Sequence, residues 1–269
     1  MRRLRTTILG SGCSTGVPRA DGFWGRCDPH NPKNRRSRCS ALFQAFDPSS
    51  PDQATNVVVD TSPDFRTQIM QTGIDHLDAV LWTHDHADQT HGIDDMRAFA
   101  LLRKMQVPGY MDEATRQTLL SRFDYIFAGK FGYPPICAPM ALPSFGERFH
   151  LTGEGGEVPV VTFDQIHGPI RSVGYRIGNV AYSSDISDLP EDSFAQLYGL
   201  KVWIVDALRY APHPTHAHLD LALEWIARVK PELAVLTNLH QEMDYDELRA
   251  KLPDGVVPAY DQMMIDTDF

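Results

Sequence analysis

Within Thr83–Gly92, His84, His86 and Asp88 place two imidazoles and a carboxylate at alternate positions. That donor mixture suits Zn²⁺ and, with more oxygen ligands, Mn²⁺ or Fe²⁺. A lone His-x-His pair is more often two ordinary core or surface side chains than a metal site. Here Asp88 and Gly92 accompany the pair, and His167, Asp185 and His240 stand further along, each near the end of an apolar run. The pattern predicts a metal centre.

These residues need elements that deliver them to one place. Leu77, Ala79, Val80, Leu81 and Trp82 read as a buried strand that opens abruptly into acids and imidazoles. Upstream, Thr6-Thr7-Ile8-Leu9 reads as a strand breaking into the glycine-rich loop Gly10–Pro18, whose spacing is wrong for a dinucleotide fingerprint. A long loop over 19–38 precedes strands at 39–46 and 56–60, with a helix over 64–72 before the strand at 77–82. Helical spacing recurs over 93–105 and 112–127, and the Pro-rich stretch 133–143 reads as a lid or connection. In the second half, strands over 158–163, 171–177, 180–184, 201–206 and 233–237 lead to polar or ionisable residues, with a helix over 220–229. Such runs predict an α/β sandwich, two packed sheets covered by helices with the site along one edge.

At 269 residues and 42% hydrophobic content, the simplest count is one domain over 1–269 with a sizeable core. No apolar run approaches the roughly 18 residues of a membrane span, and Met1-Arg2-Arg3-Leu4-Arg5 leads into a polar loop, so a cytoplasmic protein is expected. Net charge is −10 and the sequence pI is near 5.5, which argues against a nucleic-acid polymer as partner. The basic cluster Lys33, Arg35, Arg36 and Arg38 is either a solvated loop face or a clamp for a small anionic substrate, with Arg35 and Arg36 the candidate phosphate contacts. Cys13, Cys27, Cys39 and Cys137 form no Cys-x-x-Cys pair and are expected to be reduced. A homodimer is compatible with all of this.

On these residues the chain resembles the metallo-β-lactamase superfamily, whose hallmark is His-x-His-x-Asp-His followed downstream by a His, an Asp and a final His. Leu9-Gly10-Ser11-Gly12, Arg35-Arg36-Ser37-Arg38-Cys39-Ser40 and His91-Gly92-Ile93-Asp94-Asp95 are most similar to its cyclic phosphodiesterase branch, which includes phosphoribosyl 1,2-cyclic phosphate phosphodiesterase. The resemblance spans nearly the whole chain. It implies an αββα sandwich of two mixed β-sheets flanked by helices and two divalent ions, Zn²⁺ or Mn²⁺. His84, His86 and His167 would hold the first ion, Asp185 would bridge, and Asp88 would bind the second ion and orient the nucleophile, a hydroxide shared by the metals. Asp60 is a candidate acceptor for fixing an imidazole tautomer.

Two positions depart from the superfamily pattern, and both fall on the second metal. Gln89 replaces the fourth motif histidine, and Thr237 is followed by Asn238, with His240 two residues further on. His240 is the preferred last ligand and Asn238 the alternative. Amide oxygens in place of imidazoles make that site harder and weaker, favouring Mn²⁺ or Mg²⁺ or leaving it partly empty. In His213-Pro214-Thr215-His216-Ala217-His218-Leu219, the resemblance assigns His216 as proton donor to the leaving group, and His218 is a candidate for lining the site. The implied activity is hydrolysis of a small cyclic or nucleotide-like phosphodiester. The alternatives are another hydrolase of the superfamily, acting on RNA 3′ ends, a thioester or a lactam, and a non-catalytic nucleotide- or metal-binding protein.

Overall fold

The computed structural model describes residues 2–269. Its strands, numbered along the chain, form two seven-stranded sheets. The first contains β1 (Arg3–Gly10), β2 (Ser40–Phe46), β3 (Ala54–Val59), β4 (Ala79–Leu81), β5 (Val107–Met111) and β6 (Cys137–Ala141), with β14 (Met263–Asp268) outside β1. The second contains β7 (Arg148–Gly153), β8 (Gly156–His167), β9 (Ile170–Ile177), β10 (Val180–Ser183), β11 (Val202–Asp206), β12 (Leu233–Thr237) and β13 (Val256–Pro258), side by side in chain order. Both sheets are mixed. In the first, β14-β1-β2-β3 pair antiparallel and β3-β4-β5-β6 parallel. In the second, β7 to β10 pair antiparallel and β10 to β13 parallel.

Alternation along the strands explains the layering. Val57 and Val59 of β3 join Leu81, Ile204 and Val235 in the core between the sheets, while Val58 turns outward to meet Val80 and Trp82. On β11, Val202 and Ile204 face the intersheet core, whereas Trp203 and Val205 face the outer layer. Helices Phe65–Met70, Arg97–Arg103 and Glu113–Arg122 cover the first sheet through Phe65, Ile69, Phe99 and Leu119. Helix Leu219–Val229 covers the second by burying Leu219, Ala222, Trp225, Ile226 and Val229, the spacing of one helical face. The result is the αββα sandwich that the resemblance implies.

Several elements differ from the sequence reading. Within the stretch expected as a lid or connection, residues 137–141 form β6, which pairs with β5 from Val107↔Cys137 to Met111↔Ala141. Strand β5, with Pro108 and Gly109, carries residues that normally punctuate chains. Gly109 is tolerated there, and required, because a Cβ would sit 2.5 Å from both the Trp82 ring and Cys137 Sγ. The helix expected over 112–127 is two, broken at Phe123, whose backbone leaves the helical region. All four cysteines are buried and free, as expected.

The Trp82 packing predicts the outcome of one substitution. Gly109→Ala should lower stability by about 1–3 kcal/mol through overpacking, read as a lower urea midpoint at unchanged slope. An unchanged midpoint would mean that the indole moves aside at no cost.

Candidate metal centre

Parallel strands put their carboxyl ends side by side, and each sheet ends in acids at the same rim. In the first sheet, β3 runs beside β4 in the register Val59↔Leu81, so Asp60 meets Thr83 just beyond the strands. In the second, Asp206 is paired with Thr237 and Ser183 with Val205, which brings Asp185, Asp206 and Asn238 to neighbouring strand ends. Asp60, Asp185 and Asn238 all adopt left-handed backbone angles, with φ of 63°, 56° and 61°. Asp and Asn accept that conformation better than other side chains. It turns the chain sharply at each strand end.

The imidazoles are oriented by what holds their other nitrogen. Asp60 accepts from Thr83 N at 2.8 Å and from Thr83 Oγ1 at 2.9 Å, and Thr83 Oγ1 lies 3.0 Å from His84 Nδ1. Asp60 is thus the expected anchor, acting through one hydroxyl. His84 Nε2 is then left buried without any partner, and burial lowers the imidazole pKa to about 3, which keeps it neutral. At the end of β8, His167 Nδ1 donates to the Thr215 carbonyl at 2.6 Å, leaving Nε2 as the acceptor, 4.0 Å from Asp185 Oδ1. Gly92 packs the end of the His84–His91 loop against the first sheet's rim: a Cβ there would lie 2.0 Å from the Ser62 carbonyl oxygen.

The rings of His84, His86 and His167 stand 4.5, 5.1 and 5.2 Å apart, edge to face. Among the described residues, two groups have ligand atoms within 4.8 Å of one another: His84, His86 and His167, and His167, Asp185 and His216. Both are compatible with a divalent cation. The donors fit one, because His84 Nε2 is an orphaned lone pair grouped with the imidazoles of His86 and His167.

Carboxylate charge is distributed unevenly. Burial works against Asp185, but His84, His216 and His167 outweigh it and hold its pKa below the usual carboxylate range. Burial and the Asp185 charge raise Asp88 to about 6. His216 Nδ1 lies 2.9 Å from Oδ2 of the fully buried Asp206. Burial opposes a charge on His216, yet Asp206, with Asp185 and Asp88, overcomes it and raises the imidazole to about 9. Asp206 itself is pushed up to about 6, mainly by burial. Near neutral pH the two form an ion pair.

Other predicted residues fall elsewhere. His240 joins neither group; its neighbours in charge are Glu242, Arg209 and Arg19, because the chain after Asn238 carries it away from the strand ends. Asn238 instead lies against His216, 3.1 Å from Nδ1. Gln89 is buried and donates to Asp185 Oδ2 at 3.1 Å. Arg36, expected as a phosphate contact, is buried and bonded to Asn34 Oδ1 at 3.2 Å and the His240 carbonyl at 3.5 Å, so it ties two loops together. Arg35 stacks over Trp24, 5.2 Å from the ring. His218 caps helix Leu219–Val229 through its backbone without a side-chain cap bond.

The guanidiniums beside Asp88 are those of Arg38 and Arg19, which with Thr15 and Pro63 line an open cleft of about 590 Å³. Each has an acidic partner: Arg38 pairs with Asp64 at 2.9 Å, and Arg19 with Asp21. Arg38 was visible as a member of the basic cluster, but Arg19 had no local signal. Asp206 was legible only as a strand ending in an acid. His213, whose ring is 5.2 Å from His216, opens the histidine-rich segment but carries no role in the sequence reading. No helix among the described residues is long and apolar enough to cross a membrane.

Comparison with known proteins agrees with this fold. The family model described as "Beta-lactamase superfamily domain" matches residues 55–238. A solved structure of a diphosphatase from the PhnP family is 33% identical, covers 99% of this chain and 98% of its own, and superposes with a TM-score of 0.84. Zn²⁺-bound PqqB from Methylobacterium extorquens shares the fold at 18% identity and a TM-score of 0.72, over 98% of this chain and all of its own. An octanoyltransferase from Porphyromonas gingivalis is 30% identical over 260 residues, 96% of this chain; the chain spans about half the length of that relative. The fold and the His/Asp clusters support a metal-dependent hydrolase, and the chain belongs to the β-lactamase superfamily.

Proposed function

We propose that the protein is a metal-dependent phosphodiesterase of the cytoplasm, acting as a single domain on a small anionic phosphodiester, cyclic or nucleotide-like. The carrying observation is the His216–Asp206 ion pair, whose imidazole ring stands 4.8 Å from that of His167. An alkoxide leaving group needs a proton as its bond to phosphorus breaks, whereas a thiolate departs without one. A protonated imidazole against the metal ligands therefore favours an oxygen ester over a thioester. The 33% identity with a diphosphatase favours a second reading, hydrolysis of a diphosphate, which uses the same groups.

His84, His86, His167 and Asp185 would hold a divalent ion, with Asp88 beside them. Bound metal supplies Lewis acidity toward a water and the phosphoryl oxygens. Asp88, half-buried at the mouth of the cleft, accepts a hydrogen bond from the attacking water and orients it. His216 delivers its proton to the departing oxygen, and Asp206 fixes its tautomer and charge. Arg38 and Arg19 receive the anionic part of the substrate that does not react. The net charge of −10 disfavours a polyanionic polymer in the same place.

Hydrolysis of bis(p-nitrophenyl) phosphate should disappear on metal removal and return with Zn²⁺ or Mn²⁺; silence with both ions would remove the reading. His216→Ala should cut turnover of an alkyl diester by about 10²–10⁴-fold while sparing an activated aryl ester, and equal losses on both would deny the proton-donor role. Asp206→Asn takes away the charge that raises His216 above its ordinary range. Since His216 is protonated below about 9, its NMR titration in metal-free protein should move to lower pH in the variant. A midpoint left near 9 would show that Asp206 does not set it.

A further inference from the structure

Gln89 and Asn238 are the two places where the chain leaves the binuclear pattern, and their contacts reveal what replaces it. A bridging carboxylate needs lone pairs free for two ions, on one oxygen or on both. In this protein Asp185 Oδ2 already accepts from Ser184 Oγ at 2.5 Å and from Gln89 Nε2 at 3.1 Å. Only Oδ1 remains, facing His167 Nε2 at 4.0 Å. Gln89 Nε2 also lies 3.4 Å from Asp88 Oδ2, so one amide spans the two carboxylates between which a second cation would stand. Ionised carboxylates only accept hydrogen bonds, which dictates that the amide nitrogen, and not its oxygen, points at them. Gln89 is 1% exposed, so water does not compete for these bonds.

Gln89 Oε1 is buried without a partner, whereas the imidazoles nearest Asp185 are each committed through one nitrogen. His167 has a single free nitrogen, because Nδ1 is bonded to the Thr215 carbonyl. The two His/Asp groups that share His167 therefore draw on one lone pair and cannot both hold an ion through it. His216 Nδ1 is held by Asp206, and the side chain of Asn238 packs against that same nitrogen.

We propose that the centre binds a single ion tightly, through His84, His86, His167 and Asp185, and that the Gln89 amide occupies the place of the second. The inference rests on the metal-centre reading of those residues and is independent of the substrate. A hydrogen-bond donor there neutralises part of the Asp88–Asp185 repulsion without a cation. Asp88 keeps its other oxygen, Oδ1, free to act on water.

The test is a Co²⁺ titration of metal-stripped protein, followed by visible absorption and by the electron paramagnetic resonance of the bound ion. Wild type should saturate at one tight equivalent with the signal of an isolated ion, any further binding being about 100-fold weaker or more, the order of loss expected when partners of a metal site are withdrawn. The double variant Gln89→His, Asn238→His should take up a second equivalent and show coupling between neighbouring ions. Two tight, coupled equivalents in the wild type would overturn the inference, and no tight binding at all would overturn the metal-centre reading beneath it. The wild-type titration decides the matter even if the double variant does not fold.

Discussion

A buried imidazole is a metal ligand only when its other nitrogen is already engaged, and this requirement organises the site end of the molecule. His84 is turned by Thr83, which is held by Asp60; His167 is turned by a backbone carbonyl; His216 is turned by Asp206. Thr83, Asp60 and Asp206 sit at or just after strand ends, and Thr215 lies in the loop that follows β11. Delivering them to one rim needs parallel neighbours in a fixed register, β3 with β4 and β10 with β11 and β12. A register slip of one residue would invert every side chain of a strand, exchanging Val57 and Val59 with Val58 across the layers and moving Asp60 away from Thr83. The alternating valines that build the core also aim the histidines.

What could be read from the sequence follows from which signals are local. His84, His86 and Asp88 declare themselves by spacing, and apolar runs such as β3, β11 and β12 carry β-branched residues bounded by polar ones. The paired sheets and the strand-end site followed from those runs. Strands β5 and β6 were hidden because their Pro and Gly content reads as loop, and only the Trp82 ring, distant in sequence, explains why Gly109 belongs in a sheet. The choice between His240 and Asn238 was hidden for a similar reason. It depends on the path of the chain beyond β12, which turns at Asn238 with a φ of 61° and which no spacing rule encodes. Arg36 and Arg38 show the same limit: two residues apart, one guanidinium points into the protein and the other into the cleft.

The electrostatics explain why the site tolerates so much acid. Asp60, Asp185 and Asp206 are buried and Asp88 is half-buried, an arrangement whose desolvation cost is large unless positive charge or hydrogen bonds compensate. The chain supplies three kinds of compensation: the proton on His216 for Asp206, the Thr83 donors for Asp60, and the Ser184 and Gln89 donors for Asp185. Compensation is incomplete: burial holds Asp60 well above the usual carboxylate range, and raises both Asp206 and Asp88 to about 6. Removing a cation from such a rim leaves repulsion that the fold must absorb, so metal binding and stability are coupled through these acids. The imidazole cluster alone would be a neutral pocket. It is the unevenly compensated ring of carboxylates that makes the site attract a cation and keep a proton on His216 at the same pH.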